Sequence, residues 1–193
     1  MQKKITLCLI VCLFGFSGFT QIMKGTTVAH VNVGNLRYLH LENSSTMKNN
    51  NISFNPGFGY FIRNNWEIGA GLNYNSIRYM DTTFGGHTLN SHTRGINIYT
   101  DYYLGKGNLK PYFSFQTGWE QSKGSYGAGV LNSINQNHFY MAIGGGINWN
   151  INSRFSLFTE ATYRKNSPFN YQGYSRLNLT MGVRFFFNRK KNR

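Results

Sequence analysis

Four acids, Glu67, Asp101, Glu120 and Glu160, and four bases, Lys110, Arg164, Arg176 and Arg184, stand at alternate positions in runs whose other positions are apolar or aromatic. Charges spaced in this way share one interior face. They can either neutralise one another as ion pairs or, if two carboxylates flank a substrate cleft, perform acid–base hydrolysis. Asp101 and Lys110 flank one tight turn, and the hairpin it implies brings them almost opposite each other. No cleft is implied around the acids, so a plug of salt bridges is the expected arrangement. The five histidines are His30, His40, His87, His92 and His138. Acyl hydrolysis or acyl transfer needs a nucleophile, a base and an acid within hydrogen-bond reach. Ser91, His92 and Asp81 have those types, but they lie in one polar stretch where such residues are common. His87 and His92 lack the spacing of a zinc motif. The run Gly144-Gly145-Gly146 has no helix pattern after it, so it does not cradle a phosphate. Gly144 and Gly146 instead leave room for bulky neighbours such as Tyr112 or Arg184. No catalytic, cofactor-binding or metal-ligating residue is assigned.

The elements that position these groups are strands. In residues 51–62, Ile52, Phe54, Pro56, Phe58, Tyr60 and Ile62 fall on one face, opposite Asn51, Ser53, Asn55, Gly57 and Gly59. After Arg63-Asn64-Asn65, a second run places Trp66, Ile68, Ala70, Leu72 and Tyr74 on one face against Glu67, Gly69, Gly71, Asn73 and Asn75. A period of two on either side of a short polar turn is a β-hairpin. The polar face carries Gly and Asn rather than the Lys, Glu and Thr of a soluble sandwich, so the apolar stripe is expected to face lipid.

The same alternation recurs along the chain. A first strand region covers 25–41. Later strands cover 94–104, 109–120, 138–148, 155–164 and 176–187, with Pro111 tolerated at a strand start. Polar stretches at 42–50, 81–91, 121–137 and 165–173 read as long loops, while 63–65, 105–108 and 150–154 read as tight turns. Eight strands result, with connections alternating long and short, and an even count puts both termini on one side. Outer-membrane barrels have short periplasmic turns and long external loops, so both termini are expected in the periplasm. Trp66 and Tyr74, like Phe155 and Tyr163, are eight residues apart. At about 3.3 Å per residue and a tilt of about 40° they span roughly 20 Å, slightly less than the apolar band of about 25 Å. In hydrocarbon an open sheet edge is not viable, so the last strand must pair with the first.

The N-terminus carries an address. Lys3 and Lys4 precede the apolar run 5–16 and the small residues Ser17 and Gly18, which is a signal-peptide pattern. Cleavage before Gln21 divides the chain into a leader, 1–20, and a barrel, 21–193. Cys8 and Cys12 both fall in the leader, which leaves the barrel without a disulfide. Processing removes two of the 20 Lys and Arg and none of the six acids, leaving a net charge of +12. That balance suits nucleic acid, but the bases are scattered, with one cluster at 189–193, and an exported chain does not meet nucleic acid. Lipopolysaccharide, phospholipid headgroups and acidic polymers are the anionic partners that remain.

The alternating strands, the segment Gly57-Phe58-Gly59-Tyr60-Phe61 before a turn, and the final strand together resemble the small eight-stranded outer-membrane β-barrel family that includes OmpX and the OmpA barrel. The ending Thr180-Met181-Gly182-Val183-Arg184-Phe185-Phe186-Phe187 resembles the terminal signal read by barrel-assembly machinery, although Asn188 to Arg193 follow it. The resemblance implies an all-β, up-and-down transmembrane barrel that is not an enzyme and takes no cofactor. Its side-chain-filled lumen and its loops would serve envelope structure or an unidentified extracellular ligand. A lipid-modifying enzyme, either acyl hydrolase or acyltransferase, and a narrow channel are the alternatives.

Overall fold

A computed structural model describes residues 22–38, 48–81, 87–126, 134–168 and 175–187. They form eight strands: β1 Thr27–Tyr38, β2 Lys48–Arg63, β3 Trp66–Asp81, β4 His87–Tyr103, β5 Leu109–Tyr126, β6 Ile134–Asn150, β7 Phe155–Pro168 and β8 Ser175–Phe187. Each pairs antiparallel with the next, and β1 pairs with β8 to close the barrel. Closure pairs the edge strands, and the alternation puts apolar groups outside. Leu72, Ile96, Ile98, Phe113, Ile143 and Met181 are all at least half exposed, while Glu67, Asp101, Lys110, Glu120, Glu160, Arg164 and Arg184 are buried inside. A protein that is polar within and apolar without suits a lipid surrounding. Residues 1–21, where a leader was expected, the basic tail 188–193 and the midpoints of the long connections lie outside the described residues.

The strands run further than expected. The polar stretches 42–50, 81–91, 121–137 and 165–173 were expected as loops, yet Lys48 pairs with Met80, Asp81 with His87, Gly124 with Ile134 and His138 with Pro168. β5 has 18 residues, roughly 59 Å of chain, or about 45 Å of height at a tilt of about 40°, well beyond an apolar band of about 25 Å. Above that band neither face needs apolar residues. The hydropathy alternation fades there, although the backbone ladder continues. β1 starts at Thr27, two residues later than expected, residues 39–41 lie outside the described residues, and the pairing of β1 with β8 shifts register between Val33 and Asn35.

At the end bearing the tight turns, the residues before β1 fold across the mouth. Ile22 donates its N–H to Asn65 Oδ1 (3.1 Å) and accepts from Asn65 N–H (2.9 Å). Lys24 N–H reaches Asn64 Oδ1 at 2.9 Å, and Gly25 N–H reaches the Phe61 carbonyl at 2.9 Å. Asn65 adopts φ 62°, a left-handed conformation that Asn tolerates in a tight turn. Ile22 is thereby packed with Val28, Phe61, Tyr103, Tyr112, Phe158 and Phe186 in one buried apolar cluster.

Candidate functional site

Above this apolar floor the lumen is crossed by charged side chains from different strands. Glu120 on β5 takes two hydrogen bonds from Arg164 on β7, one at 2.9 Å from Nη1 and a close one from Nη2. This is the forked geometry in which Arg and carboxylate match best. Arg164 Nε donates to Asn166 Oδ1 at 2.8 Å, and its guanidinium carbon lies 3.4 Å from the Tyr140 ring centroid. Asn73 Nδ2 donates to Glu120 Oε1 (3.1 Å) and Tyr140 Oη (2.8 Å), while Asn73 Oδ1 accepts from Asn97 Nδ2 at 2.8 Å.

A second layer is built round Arg184 of β8. Its Nη2 donates to Asp101 Oδ2 at 2.9 Å, and its Nη1 contacts the Tyr103 hydroxyl closely. The guanidinium is flanked by the rings of Phe158 (4.3 Å), Tyr112 (4.7 Å) and Tyr103 (5.3 Å). Glu67 accepts from Tyr99 Oη and Tyr103 Oη, both at 2.7 Å. Glu160 accepts from Tyr112 Oη (2.9 Å) and Gln116 Nε2 (2.8 Å). A polar cavity of about 80 Å³ lies among these groups, with His30, Asn97, Asn178 and Thr180 in its lining. Glycines make space for the rings. A Cβ on Gly146 would lie 2.8 Å from the Tyr112 ring, and one on Gly182 would lie 2.8 Å from Phe158.

The expected plug of salt bridges is present, but one expected partner was wrong. Asp101 pairs with Arg184, not Lys110. The β4–β5 register sets Asp101 opposite Ser114, four residues beyond Lys110, and Lys110 Nζ donates to the Gly105 carbonyl at 3.2 Å. Gly146 makes room for Tyr112 as expected, whereas Gly144 is confined by Ala161 and Thr162 of β7. Phe61, Tyr103, Phe158 and Phe186, which seal the lower lumen, went unassigned as a group. Their positions share the inward parity of the charged residues, which is the only sequence signal they give.

Ser91 and His92 do not converge. They are adjacent in β4, where successive side chains point to opposite faces. His92 is exposed on the outer face, His138 is buried, and His30 meets the Tyr99 ring at a centroid separation of 5.1 Å. Among the described residues no group of three or more His, Cys, Asp or Glu is arranged to hold a metal. The side chain of Arg176 lies outside the described residues, as does that of His87, and so does the whole of His40.

No family model and no curated protein matches this sequence. Solved structures do match its fold. The N-terminal β-barrel domain of Pseudomonas aeruginosa OprF is similar with a TM-score of 0.55 at 14% identity, covering 87% of this chain and 100% of that one. Ail, the attachment invasion locus protein of Yersinia pestis, gives 0.53 at 14% identity, covering 86% and 100%. Neisserial surface protein A gives 0.54 at 16% identity, covering 85% and 98%. The fold is therefore that of the small eight-stranded outer-membrane barrels. Identities this low leave the role to be argued from the residues.

Proposed function

We propose that this chain is a non-enzymatic outer-membrane protein with both termini in the periplasm, a barrel that braces the envelope and offers its loop-bearing end for surface contacts. The observation that carries the reading is the filled lumen. Arg164–Glu120 and Arg184–Asp101 cross it, and the Ile22 cluster closes its lower end. Eight strands enclose an interior that side chains can just fill, whereas an aqueous channel needs more. The separation of Ser91 from His92 removes the one candidate nucleophile–base pair. Phe185 and Phe187, both exposed at the end of β8, suit capture by assembly machinery despite the basic tail beyond them.

The outer strand surface next to the loops carries exposed Arg78, His92, Arg94 and Lys123, while every acid whose side chain is described points inward, which suits an anionic ligand. Ail, of the same fold, has been crystallised with the heparin analogue sucrose octasulfate. Conductance of the purified barrel in planar bilayers, together with turnover of labelled lipid A and phospholipid, tests the reading. Silence in both is expected. Stable channels whose selectivity changes with Arg184→Met would overturn the filled lumen, and lipid turnover would overturn the non-enzymatic assignment.

A further inference from the structure

The outer surface of β3, β4 and β5 changes character within one rung of the sheet. The registers define rows of outward residues that neighbour one another across strands. Phe58, Ala70, Ile98, Thr117 and Met141 form one row. Above it Leu72, Ile96, Trp119 and Phe139 form a second. The third is Tyr74, Arg94, Gln121 and Asn137, and the fourth is Ser76, His92, Lys123 and Asn135. Successive rows are two residues apart, roughly 6.6 Å along the strand. Arg78 stands one row higher, opposite Asn90. Directly paired side chains have Cβ atoms about 5 Å apart and diagonal ones about 7–8 Å. His92 and Lys123 are therefore immediate neighbours, with Arg94 one row below and Arg78 diagonal to His92.

Two features meet at this boundary. The lower rows form an apolar groove of about 730 Å³ lined by Ala70, Leu72, Ile96, Ile98, Trp119 and Phe139. Its volume is within the roughly 300–1,000 Å³ of small-molecule sites. Ala70 and Thr117 contribute small side chains to its lining, and Phe58, Leu72, Trp119 and Phe139 contribute large ones. Directly above lie Arg78, His92, Arg94 and Lys123, all exposed. No acid with a described side chain faces outward to neutralise them, because Glu67, Asp101, Glu120 and Glu160 are all buried inside.

We infer that this surface is a binding site for a phosphorylated, multiply acylated glycolipid of the outer leaflet, with an acyl chain in the groove and phosphate against Arg94, Lys123, Arg78 and His92. The inference rests on the outer-membrane reading. Charge separates this occupant from a second copy of the chain. A two-fold axis along the membrane normal would set the two cationic clusters against each other, whereas an anionic headgroup complements them. The spread of the cluster favours more than one phosphate. Arg78 lies opposite Asn90, four residues from Arg94 on β4, a distance on the order of 13 Å along the strand.

The test uses the folded barrel in phosphatidylcholine nanodiscs, with labelled bisphosphoryl lipid A as probe and monophosphoryl lipid A and phosphatidylglycerol as competitors. Bisphosphoryl lipid A is expected to bind in preference to both competitors. Arg94→Gln and Lys123→Gln should each weaken it about fivefold, the effect of one cation at an anionic lipid surface. Lys165→Gln, on β7, should not. Ala70→Phe, which fills the groove, should weaken the acylated lipid but leave its deacylated phosphorylated sugar unaffected. Resistance of each variant to cold detergent, read by heat-modified gel mobility, shows that it has folded. Equal competition by phosphatidylglycerol at matched charge, with no effect of Ala70→Phe, would reduce the site to general attraction and overturn the inference. A two-chain species in native mass spectra that Ala70→Phe abolishes would make the groove a subunit interface and overturn it as well. A chain that fails to insert into nanodiscs at all would instead overturn the bilayer reading beneath it.

Discussion

Asp101 and Arg184 lie 83 residues apart and meet across the lumen at 2.9 Å. Both are buried, so removing one partner strands the other, at a cost of about 3–5 kcal/mol. The two single changes should not cost the same. After Asp101→Asn, Arg184 keeps the Tyr103 hydroxyl and three flanking rings, and contacts of that kind are worth about 0.5–2 kcal/mol. After Arg184→Met, Asp101 loses its cation while Glu67 remains buried nearby. We expect Arg184→Met near the top of the 3–5 kcal/mol range and Asp101→Asn lower, at about 2–3 kcal/mol. The double variant should recover about 2–3 kcal/mol of their sum. Equilibrium urea unfolding in lipid vesicles, followed through Trp66, Trp119 and Trp149, measures all four corners of the cycle. A matched cycle of Asp101→Asn with Lys110→Met is the control. The four-residue offset in the β4–β5 register is about 13 Å, beyond the range over which mutations couple, so coupling should stay within about 0.5 kcal/mol. Coupling below about 0.5 kcal/mol for Asp101 and Arg184 would mean that water screens the pair and that the lumen is not filled. Strong coupling to Lys110 would refute the register.

Leu72→Arg places a charge on the outer face, where Leu72 is 57% exposed, and should cost about 2–4 kcal/mol near the bilayer midplane. That cost should shrink in detergent. Asn73→Arg loses the bonds to Glu120 and Tyr140, about 2 kcal/mol, in either medium, so matching behaviour in a refolding titration would contradict the β3 register. Asn65→Ala must hold φ 62° without its side-chain bond to Ile22 and should cost about 2–3 kcal/mol. Asn65→Gly keeps the conformation and should cost about 1 kcal/mol, with faster exchange of the Ile22 amide; equal losses would discount the strained turn. Trypsin should spare intact cells, because Lys123 is paired in β5 with His92 and Asn135 and the connections 39–47, 82–86, 127–133 and 169–174 contain no Lys or Arg. A nonspecific protease should cut in those connections, and external cleavage at Arg63, Lys106 or Arg154 would reverse the topology.

What could be read from the sequence followed the environment that shaped it. Leu72 and Asn73 were separable because lipid and lumen demand opposite side chains, and that contrast persists through the apolar band. It ends near Arg94, His92 and Lys123, where water meets the outer face, and there the paired extensions of β4 and β5 looked like loops. The lumen was legible as a set of charges but not as pairs. Sequence neighbours suggest contacts within a hairpin, which led from Asp101 to Lys110. Contacts across a barrel join strands on opposite walls, and Arg184 on β8 reaches Asp101 on β4 with nothing in the local pattern to announce it. Ile22 was hidden for a different reason: its place depends on Asn64 and Asn65 in a distant turn.

The last strand brings with it a test of its own alignment. Arg184 stands opposite Ser156 and His30, and Gly182 opposite Phe158 and Asn32. Slipping β8 by one residue would turn Arg184 outward into hydrocarbon, at about 2–4 kcal/mol, and leave Asp101 alone inside, at about 3–5 kcal/mol. Slipping it by two would keep Arg184 inside but move it roughly 6.6 Å from its carboxylate and press the Phe158 ring against a residue that has a side chain. Each misalignment loses a contact that only the native closure supplies. The alignment of the β1–β8 seam is thus specified by side chains that reach across the lumen as well as by the ladder beside it.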